Sequence, residues 1–187
     1  MKYTAFALSF FCLFIIFQNT SCMRGNKYPK ETQMLDSMQT FVIKADSAVK
    51  TIDSAQITNY ANNIMKDNQL IKISNIDNMS PGATSILRDL NAVRWSLLSV
   101  AGKRGPLITE LEKSQKQMKH LNYDLQHNMV NADSVSFYVA FETKRASELV
   151  QVSSISVNEV ARQIPIYTAL NPKADSLMAL LKNHKKF

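Results

Sequence analysis

The sequence predicts an all-α fold, an elongated antiparallel bundle of three or four long helices with a short helix at the C-terminus. Three observations predict it. Apolar residues recur at the 4-3-4-3 spacing of a helical, coiled-coil-like stripe through long segments of the chain. Only four glycines and five prolines occur in 187 residues, so the chain has few places to turn. The polar stretches between periodic segments are short, which sets consecutive helices side by side and antiparallel.

The first 22 residues, MKYTAFALSFFCLFIIFQNTSC, precede this bundle. Lys2 supplies a positive start, and Ala5 to Phe17 is apolar apart from Ser9. That run falls short of the ~20 apolar residues of a spanning helix. It opens at the N-terminus and ends in small polar residues, the pattern of an export signal. The segment resembles a bacterial lipoprotein signal, because Ser21-Cys22 fits the last two positions of that motif and Thr20 is acceptable before them. Asn19 departs from it, standing where leucine is usual. A cut by ordinary signal peptidase after Asn19-Thr20-Ser21 is the alternative. The lipoprotein reading divides the chain into a signal (1–21), a lipidated Cys22 with its tether (22–30) and a helical domain (31–187). Cysteine is required because its thiol takes the diacylglyceryl group, after which the freed α-amine can be acylated. Several acyl chains exceed the two signals needed for stable anchoring.

The formal charge is +7, and Lys2 is the only charge in 1–21, so the remainder carries +6. Outside the cytoplasm such a charge points to anionic lipid headgroups or envelope polymer. A nucleic-acid partner is disfavoured: the chain has no glycine-rich phosphate loop and no aromatic–basic alternation. Cys12 leaves with the signal, so Cys22 remains alone, without an internal disulfide or a cysteine metal cluster. Met23 follows the cysteine where an aspartate would signal inner-membrane retention. Arg24 and Lys27 stand where an acidic surface-export tag would lie. The expected location is the periplasmic face of the outer membrane.

Met23 to Lys30 reads as a tether. A first helix is expected from Glu31 to about Lys66, with Met34, Met38, Phe41, Ala45, Ala48, Ile52 and Ala55 on one stripe and a slip in register near Ile57. Leu35, Val42 and Val49 widen the stripe to face two neighbours. Residues 67–80 read as a loop whose Leu70, Ile71, Ile73 and Ile76 plug the bundle end. Ser80-Pro81 supplies an N-cap and a first helical residue. The second helix carries Ile86, Leu90, Val93, Leu97 and Val100, with Trp95 off that stripe and expected to flank the core. Gly102-Lys-Arg-Gly-Pro106 predicts a break. The stripe stays in phase across it through Arg104, Leu107, Leu111, Ser114 and Met118, so one kinked helix is the alternative.

A third helix is expected from Pro106 to Met129, with Thr109 and Glu112 as a capping box and Glu112 paired to Lys116. After the turn Asn131-Ala-Asp133, capped by Asp133 or Ser134, a fourth helix buries Val135, Tyr138, Val139, Leu149, Val157, Val160 and Ile164. Its stretch LVQVSSISV admits a strand as the minority reading. Ser156 with Glu159 forms a possible fresh capping box, and Pro165 is expected to end the helix. Asn171-Pro172 opens the last short helix, with Leu177, Leu180 and Leu181 on its apolar face and a basic tail after it.

TELEKSQKQMKHLNYDL (109–125), NMVNADSVSFYVAFETKRASEL (128–149) and ALNPKADSLMALL (169–181) resemble small helical lipoproteins of Bacteroidota-type bacteria. The shared pattern is Glu110 or Glu112, Ser114, Gln117, Leu121 and Asp124, a short turn, then Tyr138 and Glu142. The resemblance implies a location and an architecture, and carries over no active site.

The one constellation with site-like spacing is His120, Asp124 and His127, at i, i+4 and i+7 on one helix face, where imidazoles and a carboxylate suit Zn²⁺ or a similar ion. Di-metal bundles instead use Glu-x-x-His pairs on facing helices, which this chain lacks. A solvated face, with Asp124 accepting from one histidine, is the competing explanation, and no cofactor is expected. Glu110, Glu112, Glu142 and Glu148 supply the carboxylates that a cell-wall hydrolase would need, but on exposed faces they read as solvated acids. No Gly-x-Ser-x-Gly elbow sets a serine apart. Lys113, Lys116 and Lys119 form a basic strip with His120, suited to anionic headgroups or polymer. The reading is a non-enzymatic envelope lipoprotein that scaffolds or binds another envelope component, with a ligand- or metal-binding bundle as the alternative.

Overall fold

The structure is a computed structural model that describes residues 25–73 and 80–184. The signal, Cys22 and the side chains expected to plug the loop after Lys66 lie outside the described residues. Four helices and no strand are present among the described residues: α1 (Pro29–Lys50), α2 (Ser54–Ile73), α3 (Pro81–Gln126) and α4 (Ala132–His184). The fold is the expected all-α bundle. At 1.5 Å per residue, the 53 residues of α4 extend about 80 Å.

Cross-helix contacts give the directions. Asp36 meets Asn122, Lys50 meets Glu112 and Asn68 meets Asn91, so α1 and α2 follow one another along α3 and antiparallel to it. Glu110 meets Arg145 and Ser96 meets Glu159, so α4 returns antiparallel to α3. The result is an up-down-up bundle of three rods, the first rod made of two helices.

α1 starts at Pro29, whose missing N–H costs nothing at a helix start. The Asn26 side chain accepts from the Tyr28 N–H at 2.8 Å and donates to Thr32 Oγ1 at 3.0 Å, so the end of the expected tether is already tied to the helix. α1 stops at Lys50, and Asp53 restarts the chain by accepting from the Gln56 N–H at 2.9 Å. An aspartate that satisfies a backbone donor locally competes with continuing the helix. The helix expected from Glu31 to Lys66 is therefore two, and the slip near Ile57 is its trace in sequence. Ile52 and Ile57 are both buried, so the break leaves the apolar stripe on the core side. α2 then runs to Ile73 through residues expected to be loop.

Ser80 caps α3 as expected, accepting from the Ala83 N–H at 3.3 Å. The break expected at Gly102–Pro106 does not occur, and α3 is continuous over 46 residues with Pro106 inside it. Val100, Leu107 and Leu111 are all buried in one unbroken phase. Side chains of that size each gain about 1.5–3 kcal/mol from burial, which outweighs two helical glycines and one missing hydrogen bond. Thr109 is mid-helix, donating to the Gly105 carbonyl at 3.2 Å, and is no cap.

α3 ends in a Schellman motif. The Met129 N–H donates to the Asp124 carbonyl at 2.8 Å and the Asn128 N–H to the Leu125 carbonyl at 3.1 Å, with Asn128 in the left-handed region at φ 55°. Asn131, rather than Asp133 or Ser134, caps α4 by accepting from the Asp133 N–H at 3.3 Å. α4 continues through both Pro165 and Pro172, so the separate C-terminal helix is absent. Gln163, Tyr167, Ala174 and Met178 stay buried along one stripe past both prolines, and that burial holds the helix together. LVQVSSISV is helical, and Ser156 donates to the Val152 carbonyl at 2.9 Å instead of opening a helix.

Leu35, Val42 and Val49 of the first rod, Leu97, Leu111, Met118 and Leu125 of α3, and Val139 and Ala146 of α4 form one core. Thr143 and Ser153 are buried in it and donate to carbonyls one turn back, at 2.7 and 2.8 Å, which satisfies them within their own helix. Ser114 is also fully buried, and its hydroxyl has no hydrogen-bond partner among the described residues.

Candidate functional site

The i, i+4, i+7 spacing of His120, Asp124 and His127 makes one face only while the helix lasts. α3 ends at Gln126, and His127 is its C-cap at φ −96°, ψ 6°. The His127 ring folds back on Tyr123, stacked at 4.0 Å, with Nδ1 2.8 Å from the Tyr123 carbonyl oxygen. His120 is exposed and Asp124 half-buried. Among the described residues no three His, Cys, Asp or Glu side chains converge to hold a metal ion.

The candidate carboxylates are spread over the bundle rather than paired. Glu110 binds Lys113 at 2.8 Å and Arg145 of α4 at 2.6 Å, and these two bonds, Lys113's first, hold its carboxyl below the usual range. Glu112 binds Lys50 of α1 at 2.9 Å instead of Lys116. Asp46 also binds Lys50, at 2.8 Å, and with Glu112 raises the ammonium's pKa. Glu148 is exposed on α4. Glu142 turns one carboxylate oxygen into the bundle, where it has no hydrogen-bond partner among the described residues. Two of the four acids, Glu110 and Glu112, thus form cross-helix ion pairs.

Trp95 does not flank the core. It is 64% exposed, with the Arg94 guanidinium 4.8 Å from its ring centre. Of the basic strip, Lys113 is committed to Glu110, while Lys116 and Lys119 face solvent.

Sequence reasoning missed two polar junctions. Arg104 crosses from α3 to donate to the carbonyls of Val49 and Lys50, at 3.3 and 3.0 Å. Its stripe position was visible in sequence; its use as a cap on another helix was not. Glu159 accepts from Arg162, Ser96 and Gln163, and those bonds, Arg162's foremost, hold its carboxyl at about 2. Also unforeseen is a groove of about 270 Å³ between α1 and α4, lined by Phe41, Ala45, Ala48, Val150 and Val157. Phe41 joins it to a second groove along α1, bounded by Lys30, Met34 and Met38.

Pro29 opens α1 seven residues before Asp36, and Gln126 closes α3 four residues after Asn122, the partner of Asp36. The N-terminal chain therefore leaves the bundle beside the α3–α4 turn. No helix of the described residues is long and apolar enough to cross a membrane. No protein-family model matches this chain, and no curated protein and no solved structure matches it significantly.

Proposed function

We propose that the protein is a lipid-anchored, non-catalytic bundle of the bacterial cell envelope, held through Cys22 and serving as a scaffold or binding surface for another envelope component. The observation that carries this reading is the export-type signal ending in Cys22, seven residues ahead of a three-rod bundle about 80 Å long. A lipid at that point tethers the rod by one end. The ion pairs at Glu110 and Glu112 tie helices together, as suits a stiff spacer. The resemblance to small helical lipoproteins of Bacteroidota-type bacteria favours the same compartment, and Met23, Arg24 and Lys27 after the cysteine favour the periplasmic face of the outer membrane.

Mass spectrometry of the N-terminal peptide from native membranes tests the anchor: acylated Cys22 is expected, and an unmodified cysteine or a mature chain starting elsewhere overturns it. Pull-down of the anchored protein tests the role. A stable protein partner is the expected result. A co-purifying apolar small molecule would instead favour ligand binding in the Phe41–Val157 groove, and protease accessibility on intact cells would refute the periplasmic orientation.

A further inference from the structure

Fourteen large apolar side chains are exposed among the described residues, and they are unevenly placed. Six of them, Met34, Tyr123, Met129, Phe137, Tyr138 and Phe141, sit at the bundle end formed by the α3–α4 turn and the start of α1. By helix rise they all lie within about 15 Å of the tip. They come from all three rods and from the turn. Phe137 is the most exposed at 66%; it stacks on Phe141 at 6.3 Å and meets Tyr138 edge-on at 5.7 Å. Nothing in the fold requires aromatic residues there, because Val135, Val139 and Leu125 already fill the core at that level.

The same end carries cations. Lys27 and Lys30 flank the start of α1, and Lys119 is exposed beside the Tyr123–His127 stack. Glu31, Asp36, Asp124, Asp133 and Glu142 lie there too, so the end has mixed charge, with lysines among the exposed residues at its rim. Apolar aromatics bordered by lysines match the layered chemistry of a bilayer surface, where rings sit at headgroup level and ammonium groups reach phosphate.

The chain outside the described residues selects this occupant over a protein partner. Cys22 precedes Gly25 by three residues, and three residues span at most about 11 Å. An acylated Cys22 therefore cannot carry this end far from the membrane. We propose that the Tyr123–Met129–Phe137–Phe141 end is a membrane-docking surface that enters the headgroup layer of a lipid bilayer and stands the rod upon it. This proposal rests on the reading of Cys22 as the anchor. Interfacial helices bury their apolar face ~5–10 Å deep, comparable with the height of the ring at Phe137.

The test uses the full lipidated chain in vesicles of phosphatidylethanolamine and phosphatidylglycerol with brominated acyl chains, which quench indoles near them. The native Trp95, about 45 Å along α3 from the tip, is the internal control. Expected is little quenching of Trp95, whereas Phe137→Trp in a Trp95→Phe background shifts to the blue and loses about half its emission. Protein that is anchored while both indoles are quenched equally overturns the docking surface and leaves the anchor standing. If Cys22 proves unmodified, the anchor fails on its own, and co-sedimentation of the chain with the same vesicles decides the docking surface. Quenching of the Phe137→Trp indole then supports it, and absence of binding overturns it.

Discussion

The Arg104 guanidinium of α3 donates to the Lys50 carbonyl, at 3.0 Å, at the point where α1 ends. A second bond to the Val49 carbonyl, at 3.3 Å, makes Arg104 a cap supplied from a neighbouring helix. The last carbonyls of α1 lack intrahelical partners and carry the negative end of its dipole, so a cation is the appropriate group there. Arg104→Ala is expected to lower stability by about 1–2 kcal/mol, seen as a drop of a few degrees in Tm by circular dichroism. Arg104→Lys should recover only part of this, because one ammonium cannot match the two-pronged contact. An unchanged Tm in Arg104→Ala would show that the contact contributes nothing.

Gly102 and Gly105 lie inside a continuous helix, have ordinary negative φ, and a methyl group added at either meets nothing within 4 Å. Gly102→Ala and Gly105→Ala should each stabilise by about 0.5–1 kcal/mol, and Pro106→Ala by about as much or more. Urea unfolding of each variant checks this. A hairpin at this point would make the glycine substitutions destabilising instead.

Acid should weaken the α3–α4 contact at Glu159. Its carboxyl titrates at about 2 in the folded chain, held down by Arg162, Ser96 and Gln163, against an unfolded value near 4.3. A depressed folded value gives stability that is full above the unfolded pKa and is lost as pH falls toward 2. Because the group is partly solvated, the contribution at neutral pH is about 1 kcal/mol. The stability difference between wild type and Glu159→Gln should hold steady above about pH 5 and shrink below about pH 4, measured by thermal melts across that range. A gap independent of pH would show that the difference is packing rather than charge.

Ser114→Ala should be neutral or stabilising by up to about 1 kcal/mol. The hydroxyl is buried among apolar side chains with no hydrogen-bond partner among the described residues, so removing it relieves desolvation without opening a large cavity. By contrast Leu111→Ala, at 0% exposure in the same layer, should cost roughly 3–5 kcal/mol. Denaturant midpoints of the two variants would read the contrast directly. Comparable losses would mean that Ser114 has a partner in solution, such as a buried water.

The bundle was legible because burial at 3.6-residue period leaves a strong trace. Leu90, Val93, Leu97, Val100, Leu107 and Leu111 announce α3 through the very glycines and proline that seemed to interrupt it. Where the expectation failed, local signals had been given too much weight. Pro106, Pro165 and Pro172 each read as punctuation, yet the side chains beyond them remain in register with the core, and that burial exceeds one lost hydrogen bond. Trp95 and Tyr138, expected beside and within the core and found exposed, failed for the converse reason: a large apolar residue need not be inside. The His120–Asp124–His127 spacing assumed a helix that Asn128 ends one residue too soon.

By itself the sequence determined the class of fold, the positions of most core side chains, the N-cap at Ser80, and the expectation of an export signal ending at Cys22. These follow from periodicity and short-range chemistry, which are written along the chain. Tertiary structure alone decided that Glu112 pairs with Lys50 rather than Lys116, that Arg104 caps a helix it does not belong to, and that Phe137, Tyr123 and Met34 meet at one end. Such pairings depend on which residues of separate rods reach the same height, and no local spacing encodes that.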